Sequence, residues 1–179
     1  MALSYFAREN ATFAPRRILI KLDRGQREGD IWAVVDARSG AYYGVVENEQ
    51  VWGARDWEGL SLNVPVSNYA APDTTPEAWA NRLVDRADKK GGLPVPEDPE
   101  EALGMVGDFL FLPGGSTRRF NVYTVGGTHL GTVERPTQPL AQGIWWATPA
   151  SQDEKLMYDV AEAFTRVGAA SQLPRDSGL

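Results

Sequence analysis

The sequence predicts an α+β protein of two related halves, each a small antiparallel sheet of three to four strands followed by one amphipathic helix. Three observations predict it. Short runs rich in Val, Ile, Tyr and Trp are broken by glycine-containing turns. Two apolar stripes at helical spacing each follow a pair of residues with capping-box spacing. One local pattern, Gly-x-x-aromatic/Leu-Gly-x-Val-Glu, occurs twice.

The first half spans residues 1–92. Arg16 to Asp23 reads as a strand and Arg24–Gly29 as a charged turn. Ile31 to Ala37 and Ala41 to Glu47 form a hairpin about Arg38-Ser39-Gly40. Val51 to Trp57 makes a fourth strand, and a loop runs from Glu58 to Thr74. Thr74 and Glu77 then give a capping box, with Pro76 in the first turn where its missing N–H does no harm. Trp79, Leu83, Val84 and Ala87 share one helical face, and Gly91-Gly92 ends the helix.

Residues 93–98 (LPVPED) are the expected linker. The second half spans 99–170. A short helix is expected from Asp98 to about Val106, then strands at Asp108–Leu112, Arg118–Val125, Thr128–Glu134 and Gly143–Thr148. Pro113-Gly114-Gly115 is expected to stop the first of these. Ser151 and Glu154 cap a last helix from Gln152 to Val167, striped by Leu156, Met157, Val160, Ala161, Phe164 and Val167. Residues 171–179 read as a flexible tail.

The twice-used pattern aligns Gly40 with Gly127, Gly44 with Gly131, Val46 with Val133 and Glu47 with Glu134. Successive strand residues point to opposite faces, so Trp145 and Trp146 diverge, as do Tyr42 and Tyr43. Both faces of the sheets carry apolar side chains, and one helix covers only one. The other face needs the second sheet, a neighbouring subunit or a partner.

The bulk numbers narrow the function classes. The net charge is −6, with 12 Lys+Arg against 13 Asp+Glu in residues 1–95 and 6 against 11 in residues 96–179. That acidity disfavours a nucleic-acid partner, which is usually met by a basic excess. There is no cysteine, which removes disulfides, thiolate nucleophiles and cysteine metal sites. No apolar run approaches membrane-spanning length, and Arg8 and Glu9 sit where a secretion signal needs apolar residues. No membrane partner is expected, and a cytoplasmic location is. Among the 18 basic residues Arg greatly outnumbers Lys, which fits a GC-rich coding genome, such as an actinobacterium, one of its phages or a mobile element.

Motifs for chemistry are sparse. His129 is the one histidine, with no pattern to make it a ligand or a triad member. Gly91-Gly92, Gly114-Gly115 and Gly126-Gly127 fit turns and no phosphate-loop pattern. The acidic run Glu97, Asp98, Glu100, Glu101 suits a helix start, and no cofactor or metal is expected. Two sets of residues stand out. Trp52, Trp57, Trp145 and Trp146 are candidates for a partner-facing or subunit-facing surface. Arg16, Arg17, Arg118 and Arg119 are candidates for contacts with phosphates or a partner's carboxylates.

These features favour a non-enzymatic protein-interaction or assembly module, acting on a protein partner or by self-association. The second reading is a nucleic-acid-associated protein using the Arg pairs. The third is a small enzyme with carboxylate acid–base chemistry, its residues unassigned.

Overall fold

The computed structural model describes residues 17–23, 27–62, 75–137, 143–150 and 161–175. The chain divides into two compact units, Met1–Val95 and Pro96–Leu179. The first is an antiparallel meander in the order β1 (Arg17–Lys21), β2 (Asp30–Asp36), β3 (Tyr42–Asn48), β4 (Trp52–Asp56). It carries one helix, α1 (Pro76–Lys89). The β2–β3 turn is built by Asp36, whose Oδ1 accepts from Arg38 N, Ser39 N and Ser39 Oγ. Gly40 closes that turn at φ 73°, a conformation that side chains with a Cβ resist.

Helix α1 packs on β1, β3 and β4 through Trp79, Ala80, Leu83, Val84 and Ala87. Its cap is Thr75, whose Oγ1 accepts from Ala78 N at 3.3 Å. The cap expected at Thr74 is displaced by one residue, and Thr74 itself lies outside the described residues. A buried ion pair ties the helix to the sheet: Asp56 Oδ2 receives Arg86 Nε at 2.7 Å. Asp56 Oδ1 meanwhile accepts from Glu58 N and Leu60 N, so this enclosed carboxylate is fully engaged. Ala33, Val34 and Val35 alternate in direction along β2, yet all three are fully buried. Both faces of this sheet are therefore covered at its centre, and α1 accounts for one of them.

The second unit is a six-stranded antiparallel meander. Its strands are β5 (Gly104–Val106), β6 (Phe109–Ser116), β7 (Arg119–Thr124), β8 (His129–Glu134), β9 (Trp145–Pro149) and β10 (Ala161–Ala163). One face holds Phe109, Phe111, Phe120, Val122, Val133, Trp145 and Ala147, covered by the short helix α2 (Arg166–Ala170) and by Leu173. Within this apolar layer lies Arg166, 1% exposed. Its guanidinium sits 4.1 Å from the Phe111 ring and 4.7 Å from the Phe120 ring, and Nη1 donates to Ala102 O. Burial lowers its pKa to about 10 against the opposing pull of Glu100 and Asp98.

Four sequence expectations are overturned here. The molecule is mostly β, with one helix of ordinary length among the described residues, and is not two halves that each end in a helix. The predicted last helix gives way at residues 161–163 to a strand, because Ala161, Glu162 and Ala163 pair with Ala147, Trp146 and Trp145 of β9. Helix follows only over five residues from Arg166, and the predicted portion from 152 to 160, with the Ser151 cap, lies outside the described residues. The helix expected from Asp98 to Val106 is a single 3-10 turn, Pro99–Glu101, capped by Asp98, followed by strand β5. Pro113-Gly114-Gly115 does not stop its strand. β6 runs through Pro113, and Gly114 and Gly115 form a bulge opposite β7 before Ser116 pairs with Arg119.

The strands of the two units share a register. Val34 pairs with Gly44 and Val35 with Tyr42, leaving Tyr43 as a bulge. Val122 pairs with Gly131 and Tyr123 with His129, leaving Leu130 as a bulge. Gly44 and Gly131 have φ of 146° and 148°. A Cβ on either would come within 2.1 Å of a carbonyl oxygen on the next strand, Arg55 O or Thr148 O.

Candidate functional site

The sequence-selected residues separate by place. Arg16 lies outside the described residues. Arg17 stands on β1, where Nη2 donates to Glu77 O in the first turn of α1 at 3.3 Å. Trp57 is 9% exposed, with Lys90 Nζ 5.4 Å from its ring centroid. Trp145 is 1% exposed inside the second unit's core. Trp52 is half-buried and stacked on Trp32.

The remaining three, Arg118, Arg119 and Trp146, come together. The register sets Ser116, Arg119, Glu134 and Trp146 in one row across β6, β7, β8 and β9. The turn between β6 and β7 adds Thr117 and Arg118, and the chain leaving β8 adds Arg135, Pro136 and Thr137. These residues enclose a recess of about 390 Å³ at one end of the sheet. The Gly114-Gly115 bulge shapes its rim: a Cβ on Gly114 would lie 2.7 Å from Arg119 O, so only glycine lets β6 approach β7 so closely there.

Three arginines, Arg118, Arg119 and Arg135, and one acidic residue, Glu134, are among the residues that line the recess. Arg119 Nε lies 3.9 Å from Glu134 Oε2, a loose and exposed contact worth little by itself. Arg135 is held more firmly. Nη1 lies 3.0 Å from Asp98 Oδ2, and the guanidinium stacks over the Trp145 ring at 4.6 Å. Asp98 is held below the usual carboxylate range, first by the Glu100 backbone N–H and then by Arg135. No carboxylate among the described residues pairs with Arg118. The Trp146 indole N–H and the Arg135 Nε–H are enclosed and have no acceptor among the described residues. An unmatched enclosed donor costs about 1–3 kcal/mol, so small movements that admit an acceptor are favoured.

The residue types of this lining are ones suited to anion recognition. Guanidiniums present paired N–H donors that match carboxylate and phosphate oxygens, and the indole adds an apolar wall with one donor. Among the described residues no group of three or more His, Asp or Glu is placed to hold a metal ion. His129 packs against Tyr123, with ring centroids 4.8 Å apart. Among the described residues no helix is long and apolar enough to cross a membrane. No protein-family model, curated protein or solved structure matches the chain.

Sequence reasoning missed Arg135, the best-anchored arginine among the residues that line the recess. Its signal was present: it directly follows the Gly-x-Val-Glu pattern, where the other copy has Asn48. Arg166 was missed as well, although an arginine inside an apolar stripe is itself an anomaly.

Proposed function

We propose that this chain is a non-enzymatic protein-interaction module of the cytoplasm, and that the recess of its second unit receives an acidic segment of a partner protein. The observation that supports this reading is the convergence of Arg118, Arg119, Arg135 and Trp146 on one recess. The recess is compact, about 390 Å³, which suits one or two carboxylate side chains better than the extended backbone of a nucleic acid. Residues 96–179 carry a net −5, which repels an acidic segment and a phosphate polymer alike, so the choice between them rests on the size of the recess.

The test is a titration of the full chain with an oligoglutamate peptide and, separately, with a single-stranded oligothymidylate of matched length. The peptide is expected to bind more tightly, with quenching of tryptophan fluorescence. Replacing Arg118 and Arg119 together by alanine is expected to weaken it by about tenfold or more, since a hydrogen bond to a charged group contributes about 1.5–3 kcal/mol and each 1.4 kcal/mol is tenfold. Tighter binding of the oligonucleotide, lost in the same double variant, would replace this reading with the nucleic-acid one. Binding of neither probe would sink the recess as a contact site.

A further inference from the structure

The row of residues that runs through the recess continues one strand beyond it. Ser116, Arg119, Glu134 and Trp146 are followed on β10 by Glu162, which pairs with Trp146. Directly opposed residues on antiparallel neighbours share a face of the sheet. The flanking pair, Trp145 and Ala163, packs in the core, so Trp146 and Glu162 share the other face. Gln172 Nε2 donates to Glu162 O at 2.9 Å and anchors β10, while Glu162 itself stays exposed.

The charges along this row are matched in the middle and unmatched at the ends. Arg119 and Glu134 answer one another, loosely, at 3.9 Å. Among the described residues no carboxylate pairs with Arg118, next to Arg119, and no cation pairs with Glu162. Neighbouring strands lie about 4.8 Å apart, so β7 and β10 are about 14 Å apart across the sheet. An extended segment advances about 3.3 Å per residue and crosses that span in about four residues. Its residues i and i+4 face the same way.

We propose that the acidic segment received by the recess also carries a basic residue about four positions from its acidic one. It lies extended across β7 to β10, with the acidic side chain at Arg118 and Arg119 and the basic one at Glu162. This inference rests on the reading of the recess as a contact for an acidic segment, and adds a second anchor to it. Opposite signs at the two ends select the segment, because a second carboxylate at Glu162 would meet like charge. Midway, the half-buried Trp146 suits an uncharged side chain. Phe164, 86% exposed and two residues beyond Glu162, offers an apolar contact for the stem of a long basic side chain.

The experiment titrates the full chain with the capped peptide Glu-Thr-Val-Thr-Lys and with the same residues in reverse order, followed by tryptophan fluorescence. Each peptide has a control with glutamine in place of lysine. At least one order is expected to bind about two- to fivefold tighter than its control, the range for an exposed ion pair. That preference is expected to vanish in Glu162→Gln. Glu162→Lys is expected to favour a peptide with glutamate at both ends. Equal binding of each peptide and its control by the parent chain, or a preference that survives in Glu162→Gln, would overturn the proposal. So would binding of oligoglutamate alone. In each of these cases the recess reading stands if binding is still lost when Arg118 and Arg119 are replaced by alanine. Binding of none of these peptides, oligoglutamate included, would overturn both.

Discussion

Tyr43 shows how one enclosed hydroxyl links local geometry to solution behaviour. It is the bulged residue of β3, 3% exposed, and faces Asp36 and Asp88. Burial first, then the charges of Asp36 and Asp88, raise its pKa well above the ordinary tyrosine value. A raised folded-state pKa contributes stability that is fully present below the unfolded value of about 10 and is lost as pH climbs above it. The parent chain is therefore expected to lose urea resistance between about pH 9 and about pH 11 more steeply than Tyr43→Phe, which has no phenol to ionise. Equal slopes for the two chains would show that Tyr43 ionises as freely folded as unfolded. At this scale the sequence was only partly readable. Trp146, Arg118 and Arg119 stood out by residue type and do share a recess. Trp145 stood out for the same reason and lies in the core, because neighbouring strand residues face opposite ways and composition does not say which face is inward.

At the scale of elements, hairpins were the most legible and helices the least. The glycines at 40, 44, 127 and 131 mark turns and bulges where φ is positive, and that requirement is visible in residue type alone. Gly44→Ala and Gly131→Ala are each expected to cost about 3 kcal/mol or more, read as a lowered urea midpoint, since the new methyl would press on a carbonyl of the neighbouring strand. A loss below about 1 kcal/mol would mean the strands separate there with little resistance. The last helix was misread for a tertiary reason. Its apolar spacing from Leu156 to Val167 fits a helix, but residues 161–163 gain a ladder with β9 instead. Gly168, near the end of the stripe, is held by Thr165, whose Oγ1 accepts its N–H at 3.0 Å and starts the helix only there. Local periodicity carries no information about a strand edge formed elsewhere in the chain.

For the whole molecule, charge and local chemistry pull in opposite directions. The chain carries −6, while three arginines line the recess against Glu134. An acidic peptide is repelled at long range and held at short range. Screening lengths run from about 30 Å at 0.01 M salt to about 10 Å at 0.1 M. Moderate salt therefore removes the repulsion before it weakens the contact. The association rate for oligoglutamate is expected to rise between those two salt concentrations while the dissociation rate also rises, as stopped-flow fluorescence would show. An association rate that falls over that range would mean the guanidiniums dominate the field far from the surface.

The bulges at Tyr43 and Leu130 also bear on how such a chain tolerates changes in length. In a regular strand, losing one residue reverses every side chain beyond the gap and turns an inner face outward. At a bulge the count is already one too many. Deleting Tyr43 leaves Tyr42 and Gly44 opposite Val35 and Val34 in ordinary alternation, and deleting Leu130 does the same for His129 and Gly131 opposite Tyr123 and Val122. The cost is one buried side chain and the faces on either side are kept, so within β3 and β8 these are the places where a shortened gene still encodes the same inside and outside.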